Sequence, residues 1–203
     1  MSSNTGFSTV NKAICAGAAL LLAGAIGYSV YQDRPAASAA ASPSAAPANS
    51  IAALEQAVRD NPDKAEAWSA LGNAQFDEGQ FIKAAAAYQK SVDLAPNNAG
   101  IWSALGEALV MASDRDPMPA DAADAFEKSL SLDPKEPRAR YFAAVKRDLS
   151  GDHQGAINDW FALLADTPQG APWEADLRRT IEQVAAIHKI DVASRLAAAK
   201  PAA

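Results

Sequence analysis

Cysteine is almost absent. Cys15 is the only one in 203 residues and lies inside an apolar run, so no disulfide framework exists to hold a fold or report a redox compartment. Histidine is nearly as scarce: His153 and His188 are the only two. Neither stands at ligand spacing from a cysteine, a carboxylate or the other histidine, so no metal site is expected. His153 reads as a packing residue in a turn, and His188 as a half-exposed residue on a late helix. No Walker loop, G-x-G-x-x-G or nucleophile motif occurs, and the acidic residues scatter as they do on solvated helix faces. No catalytic residue, cofactor or enzymatic activity is therefore expected. Basic charge is also in short supply. Beyond position 34 there are 16 basic and 23 acidic residues, which argues against nucleic acid as a general partner and is compatible with a basic one. Aromatics reach only 7%, so those present are expected at organising positions.

What the chain has is repetition. Trp68, Leu71 and Gly72 recur as Trp102, Leu105 and Gly106, 34 residues later. Ala84, Tyr88 and Pro96 recur as Ala122, Phe126 and Pro134 after 38, and as Ala156, Trp160 and Pro168 after a further 34. W-x2-L-G, then Ala, an aromatic and Pro at this period resembles the tetratricopeptide repeat (TPR) pattern almost position for position. Each unit reads as two antiparallel helices. In the first repeat, Gly79 sits where a C-cap glycine closes the first helix and Pro96 stops the second. Small Gly72 and Ala84 let the helices approach, while Trp68 and Tyr88 fill wider gaps. One hairpin cannot bury both faces, so repeats must stack. The expected fold class is all-α: a TPR helix-hairpin solenoid of about three full repeats, an N-terminal half repeat and a C-terminal capping helix, behind one transmembrane helix.

Taken in order, residues 1–12 are polar and read as a cytoplasmic N-terminus. Residues 13–31 carry no charge over 19 positions, close to a bilayer span. A cleaved signal peptide competes with an uncleaved anchor. The anchor is preferred because signal apolar cores are usually shorter, and because Tyr28 and Tyr31 resemble interfacial residues. Between Arg34 and Asn49 the chain reduces to Ala, Ser and Pro, and residues 32–49 read as a tether. Residues 50–62 form a half repeat, with Ser50 as N-cap of a second-type helix ended by Asn61-Pro62. Residues 65–98, 99–136 and 137–170 are the three repeats. The middle one carries four extra residues in its turn, around Pro117 and Pro119. The third is degenerate, with Arg140, Ala143 and Ala144 where Trp, Leu and Gly are expected. Residues 171–199 hold a capping helix, in which Leu177, Ile181, Val184 and Ile187 recur at helical spacing.

In TPR arrays the first helix of each repeat lines a concave groove. The matching positions here are Ser69, Asn73, Phe76 and Asp77; then Ser103, Glu107, Val110 and Met111; then Tyr141, Phe142, Val145, Asp148 and Leu149. The expected peptide-binding residues are Asn73, Phe76, Glu107, Val110, Met111, Tyr141, Phe142, Val145 and Leu149. Such a groove starts polar and becomes apolar, with Met111 as an adaptable contact. It suits an amphipathic helix better than a charged tail.

One segment goes beyond a general TPR. From Pro137 the chain reads P-R-A-R-Y-F, then G-D-x-x-x-A-I-x-x-W-x-x-L-L-A-D-x-P, then A-P-W ending at Trp173. This resembles the periplasmic TPR domain of the CcmI (CycH) family of c-type cytochrome biogenesis proteins, which is associated with the haem lyase. The resemblance covers about residues 50–190. It implies a chaperone in the bacterial inner membrane with its repeats in the periplasm, and the one uncharged run, 13–31, makes the expected topology single-pass. Its implied partners are apocytochrome c and haem lyase subunits, the client being held for haem ligation. Longer members carry two membrane helices and a cytoplasmic loop, where this chain shows one span and a tether. A scaffold for another envelope complex, in secretion, pilus or cell-wall assembly, is the competing function.

Overall fold

The computed structural model describes residues 50–199. The segments expected as cytoplasmic N-terminus, membrane anchor and tether lie outside the described residues. Among the described residues no helix is long and apolar enough to cross a membrane. Every regular element among them is a helix, and they fall into two compact units, residues 50–136 and 137–199.

The first unit contains α1 (Ile51–Asp60), α2 (Ala65–Asp77), α3 (Phe81–Leu94), α4 (Ala99–Met111) and α5 (Ala120–Leu132). Ser50 caps α1 by accepting from the Ala53 amide, as its position before an apolar stripe leads one to expect. Asn98 caps α4 in the same way, through Ile101. At the other end of α2, Gly79 takes φ 72°. The Gly79 amide donates to the Phe76 carbonyl and that of Gln80 to Gln75, a Schellman closure that only a residue tolerant of left-handed backbone makes cheaply.

The landmark residues acquire physical roles here. A Cβ placed on Gly72 would stand 2.7 Å from Cδ1 and Cε1 of Tyr88, and one on Gly106 would stand 2.7 Å from Cε1 of Phe126. The glycine on the first helix and the aromatic on the second are therefore one feature: the ring occupies the space the missing side chain leaves. Trp68 Nε1 donates to the Pro62 carbonyl at 2.7 Å, and Trp102 Nε1 to the Pro96 carbonyl at 2.8 Å. Tryptophan thus ties each first helix to the turn that delivers it. Ser91 Oγ donates to the Ala65 carbonyl and Ser129 Oγ to the Ala99 carbonyl, both at 2.8 Å, joining the end of each second helix to the start of its partner. A core of Ala84, Ala85, Tyr88, Val92, Leu105, Ala108 and Ala125 links the two hairpins. The extra residues of the middle repeat lie between Met111 and Ala120. They are ordered by Ser113 Oγ accepting from the Asp116 amide and Asp116 Oδ1 accepting from the Met118 amide.

The second unit contains α6 (Pro137–Leu149), α7 (His153–Asp166), α8 (Glu174–His188) and α9 (Ala193–Ala198). Arg140, which replaces the repeat tryptophan, reaches Asp166 at 2.8 Å instead of a proline carbonyl. Tyr141, Phe142, Ile157, Trp160, Leu163, Leu164, Leu177 and Ile181 are buried almost completely and form the core. The stretch expected as a single capping helix is two helices. Lys189 adopts φ 56°, and the Ile190 amide closes back on the Ala185 carbonyl at 2.9 Å. This is a Schellman turn made without glycine, so composition gives no warning of it. Beyond the break, α9 is held by Arg178, whose guanidinium donates to the carbonyls of Leu196 and Ala199, and by Arg195, which sits 3.9 Å over the Phe161 ring.

Candidate functional site

The nine residues expected to line a groove divide into two sets. Asn73, Phe76, Met111 and Leu149 are half-buried, whereas Glu107, Val110, Tyr141, Phe142 and Val145 are buried. In the first unit, Asn73 Oδ1 accepts from the Tyr88 hydroxyl at 2.7 Å, so its side chain is partly committed within its own hairpin. Phe76 meets Phe81 edge-on, with ring centroids 5.1 Å apart, and leans on the inter-hairpin core. Burial of Ser103, Glu107 and Val110, which share one face of α4, shows that face to be packed rather than open. The periodicity of α4 cannot reveal this, because the helix is apolar almost all the way round.

The second unit departs further from expectation. Tyr141 is fully buried. Its ring lies against Phe142 and Trp160, its carbonyl accepts from Trp160 Nε1 at 3.3 Å, and its hydroxyl is 3.4 Å from Thr180 Oγ1 on α8. The helix after the third repeat therefore meets the face that the repeat pattern assigns to a groove at Tyr141. Tyr141, Phe142 and Val145 are structural here, and Leu149 alone of that set retains partial exposure.

A different constellation went unrecognised in the sequence. Asp148 near the end of α6, His153 at the start of α7 and His188 at the end of α8 present donor atoms that all lie within 4.8 Å of one another. Asp148 Oδ1 is 2.6 Å from His153 Nδ1 and 3.9 Å from His188 Nε2. The two imidazoles stack, with centroids 3.4 Å apart and planes 11° from parallel. Burial first, and then the neighbouring His153, push the His188 imidazole below its ordinary pKa, while Asp148 pulls it the other way. The expectation that the histidines lack nearby ligands is corrected; the His188 side chain is 14% exposed. Asp148 and His153 come together because Gly151, at φ 98°, reverses the chain between them. His188 arrives only when α8 packs back, so no local spacing announces the group. Elsewhere in this unit, an open cleft of about 580 Å³ lies between α8 and α9, lined by Arg178, Glu182, Ile190, Val192 and Leu196. None of the expected site residues lines it.

Two-helix repeats joined by the glycine–aromatic fit and the tryptophan–proline bond define an all-helical protein of the tetratricopeptide type. A crystal structure of a thermophilic TPR protein in Thermus thermophilus shares this fold, with a TM-score of 0.54 at 21% identity over 69% of this chain and 73% of that one. Residues 31–173 match the family described as the cytochrome c-type biogenesis protein H TPR domain, and the chain belongs to that family. Cytochrome c-type biogenesis protein CycH of Bradyrhizobium diazoefficiens is 29% identical over 136 residues, covering 67% of this chain and 37% of that protein. CycH of Rhizobium meliloti (strain 1021) is 29% identical over the same length, covering 67% and 35%. The chain thus spans little more than a third of these relatives.

Proposed function

We propose that this protein serves c-type cytochrome biogenesis as a membrane-anchored, periplasm-facing holding protein. It binds an amphipathic helix of apocytochrome c on the first-helix faces of its repeats and presents the client to haem lyase subunits. The observation that carries this reading is membership of the biogenesis family across residues 31–173. The uncharged run 13–31 supports an anchor in the bacterial inner membrane. Half-exposed Phe76 and Met111 offer apolar contacts in one unit, where Asn73 is also half-exposed, and Leu149 does so in the other. The buried members of the expected groove hold the helices in place instead.

Two measurements test the proposal. A strain lacking the protein is expected to lose haem-stained c-type cytochromes, and full staining refutes the role. The full chain in detergent is expected to bind apocytochrome c in preference to the haem-loaded form. Binding both forms equally, or neither, refutes the holding mechanism.

A further inference from the structure

The Asp148–His153–His188 group is more than ordinary packing requires. The hydrogen bond between Asp148 and His153 is ordinary for a buried carboxylate beside one imidazole. It does not account for a second imidazole laid flat against the first, with its Nε2 turned towards the same carboxylate oxygen yet beyond hydrogen-bond reach. That Nε2 is buried and has no hydrogen-bond partner. The left-handed Lys189 closes α8 immediately after His188 and so places its backbone, leaving the ring free to turn about its own side-chain torsions. That nitrogen, the Asp148 carboxylate oxygen and His153 Nδ1 all lie within 4.8 Å of one another, a donor set suited to a cation.

We propose that Asp148, His153 and His188 bind one divalent transition-metal ion of the zinc class, through Oδ1, Nδ1 and Nε2 respectively. Two imidazoles and one carboxylate match the borderline cations and lack the many oxygen ligands that calcium or magnesium takes. Three protein ligands leave a coordination position for water or a further donor. Metal–ligand bonds of about 2.0–2.2 Å place ligand atoms about 3.4 Å from one another in a tetrahedral site. Asp148 and His153, now 2.6 Å apart, must open by about 0.8 Å, and His188, at 3.9 Å from Asp148, must close by about 0.5 Å. His188 does so by tilting out of the stack. His153, whose side chain is 34% exposed, gives the ion a way in. Because the ligands come from α6, α7 and α8, the bound ion fastens three helices that the unfolded chain does not bring together.

The test is equilibrium dialysis of the full chain against Zn2+, alongside the visible absorption spectrum with Co2+, for the natural sequence and for His153→Gln and His188→Gln separately. One equivalent of Zn2+ per chain is expected, with at least a tenfold loss of affinity in each variant. A rise in melting temperature on zinc addition is expected in the natural sequence and in neither variant. His153 is the more exposed ring, so His153→Gln keeps the test valid if His188→Gln folds poorly. Absence of stoichiometric uptake overturns the proposal, as does uptake that survives both substitutions.

Discussion

Replacing Gly72 by alanine tests the central packing feature of the repeats, because two opposing effects of known size meet at one atom. Alanine is favoured over glycine in a helix interior by about 1 kcal/mol. Here, however, the added Cβ stands 2.7 Å from two ring carbons of Tyr88 and 3.1 Å from a third, against the roughly 3.5 Å or more at which carbons pack without repulsion. The ring must therefore retreat by about 0.8 Å. Tyr88 has little room to do so, since its hydroxyl is bonded to Asn73 and its ring lies in the core with Leu105 and Ala108. Overpacking of this kind costs about 1–3 kcal/mol. The net expectation is a loss of about 1–2 kcal/mol, once the helix gain is subtracted from the upper part of that range. Urea denaturation of the full chain followed by circular dichroism measures it. The decisive comparison is Gly72→Ala in a Tyr88→Leu background. Removing the ring edge removes the clash, so the same substitution there is expected to be neutral or to stabilise by up to about 1 kcal/mol. Stabilisation by Gly72→Ala in the natural sequence refutes the argument, as does an equal destabilisation in both backgrounds.

Trp68→Phe and Trp102→Phe keep a ring and remove the bonds to Pro62 and Pro96; each is expected to cost about 1 kcal/mol. Their denaturation midpoints should fall additively, and unchanged midpoints refute a role for the indole N–H. Asp77 is an exposed residue at the end of α2, where partial desolvation first and then the charge of Glu78 raise its carboxyl pKa, so the folded chain holds its proton more tightly than the unfolded one. The ionised form therefore opposes folding: stability falls as pH rises from the ordinary carboxylate value through the raised one, and the penalty is complete above that. Asp77→Asn is expected to raise the denaturation midpoint at neutral pH and to have no effect below the ordinary carboxylate range; a gain that persists in acid refutes this.

The repeat register was legible in the sequence because its determinants act within one hairpin. Trp68, Gly72, Tyr88, Ser91 and Pro96 each meet a partner fixed by the period, so spacing alone predicts contact. The candidate sites were less legible because they depend on what covers a face. Tyr141 and Phe142 occupy positions that a regular array would leave open, yet both are buried, and Tyr141 meets Thr180 of α8. His188 lies 35 residues from His153, and the turn that places its backbone is made by lysine, a residue that carries no turn signal.

The hydrogen bonds that define the 50–136 unit have a consequence for how the chain folds. Trp68 reaches back six residues, Tyr88 fifteen, Ser91 twenty-six and Ser129 thirty. Every one of these closures joins neighbours along the chain, so each loop is short and its ordering entropy is modest. Such low contact order favours fast folding that can start in either hairpin and spread to the other. If the repeats do emerge across a membrane, each hairpin can order as soon as it is complete, without waiting for distant sequence.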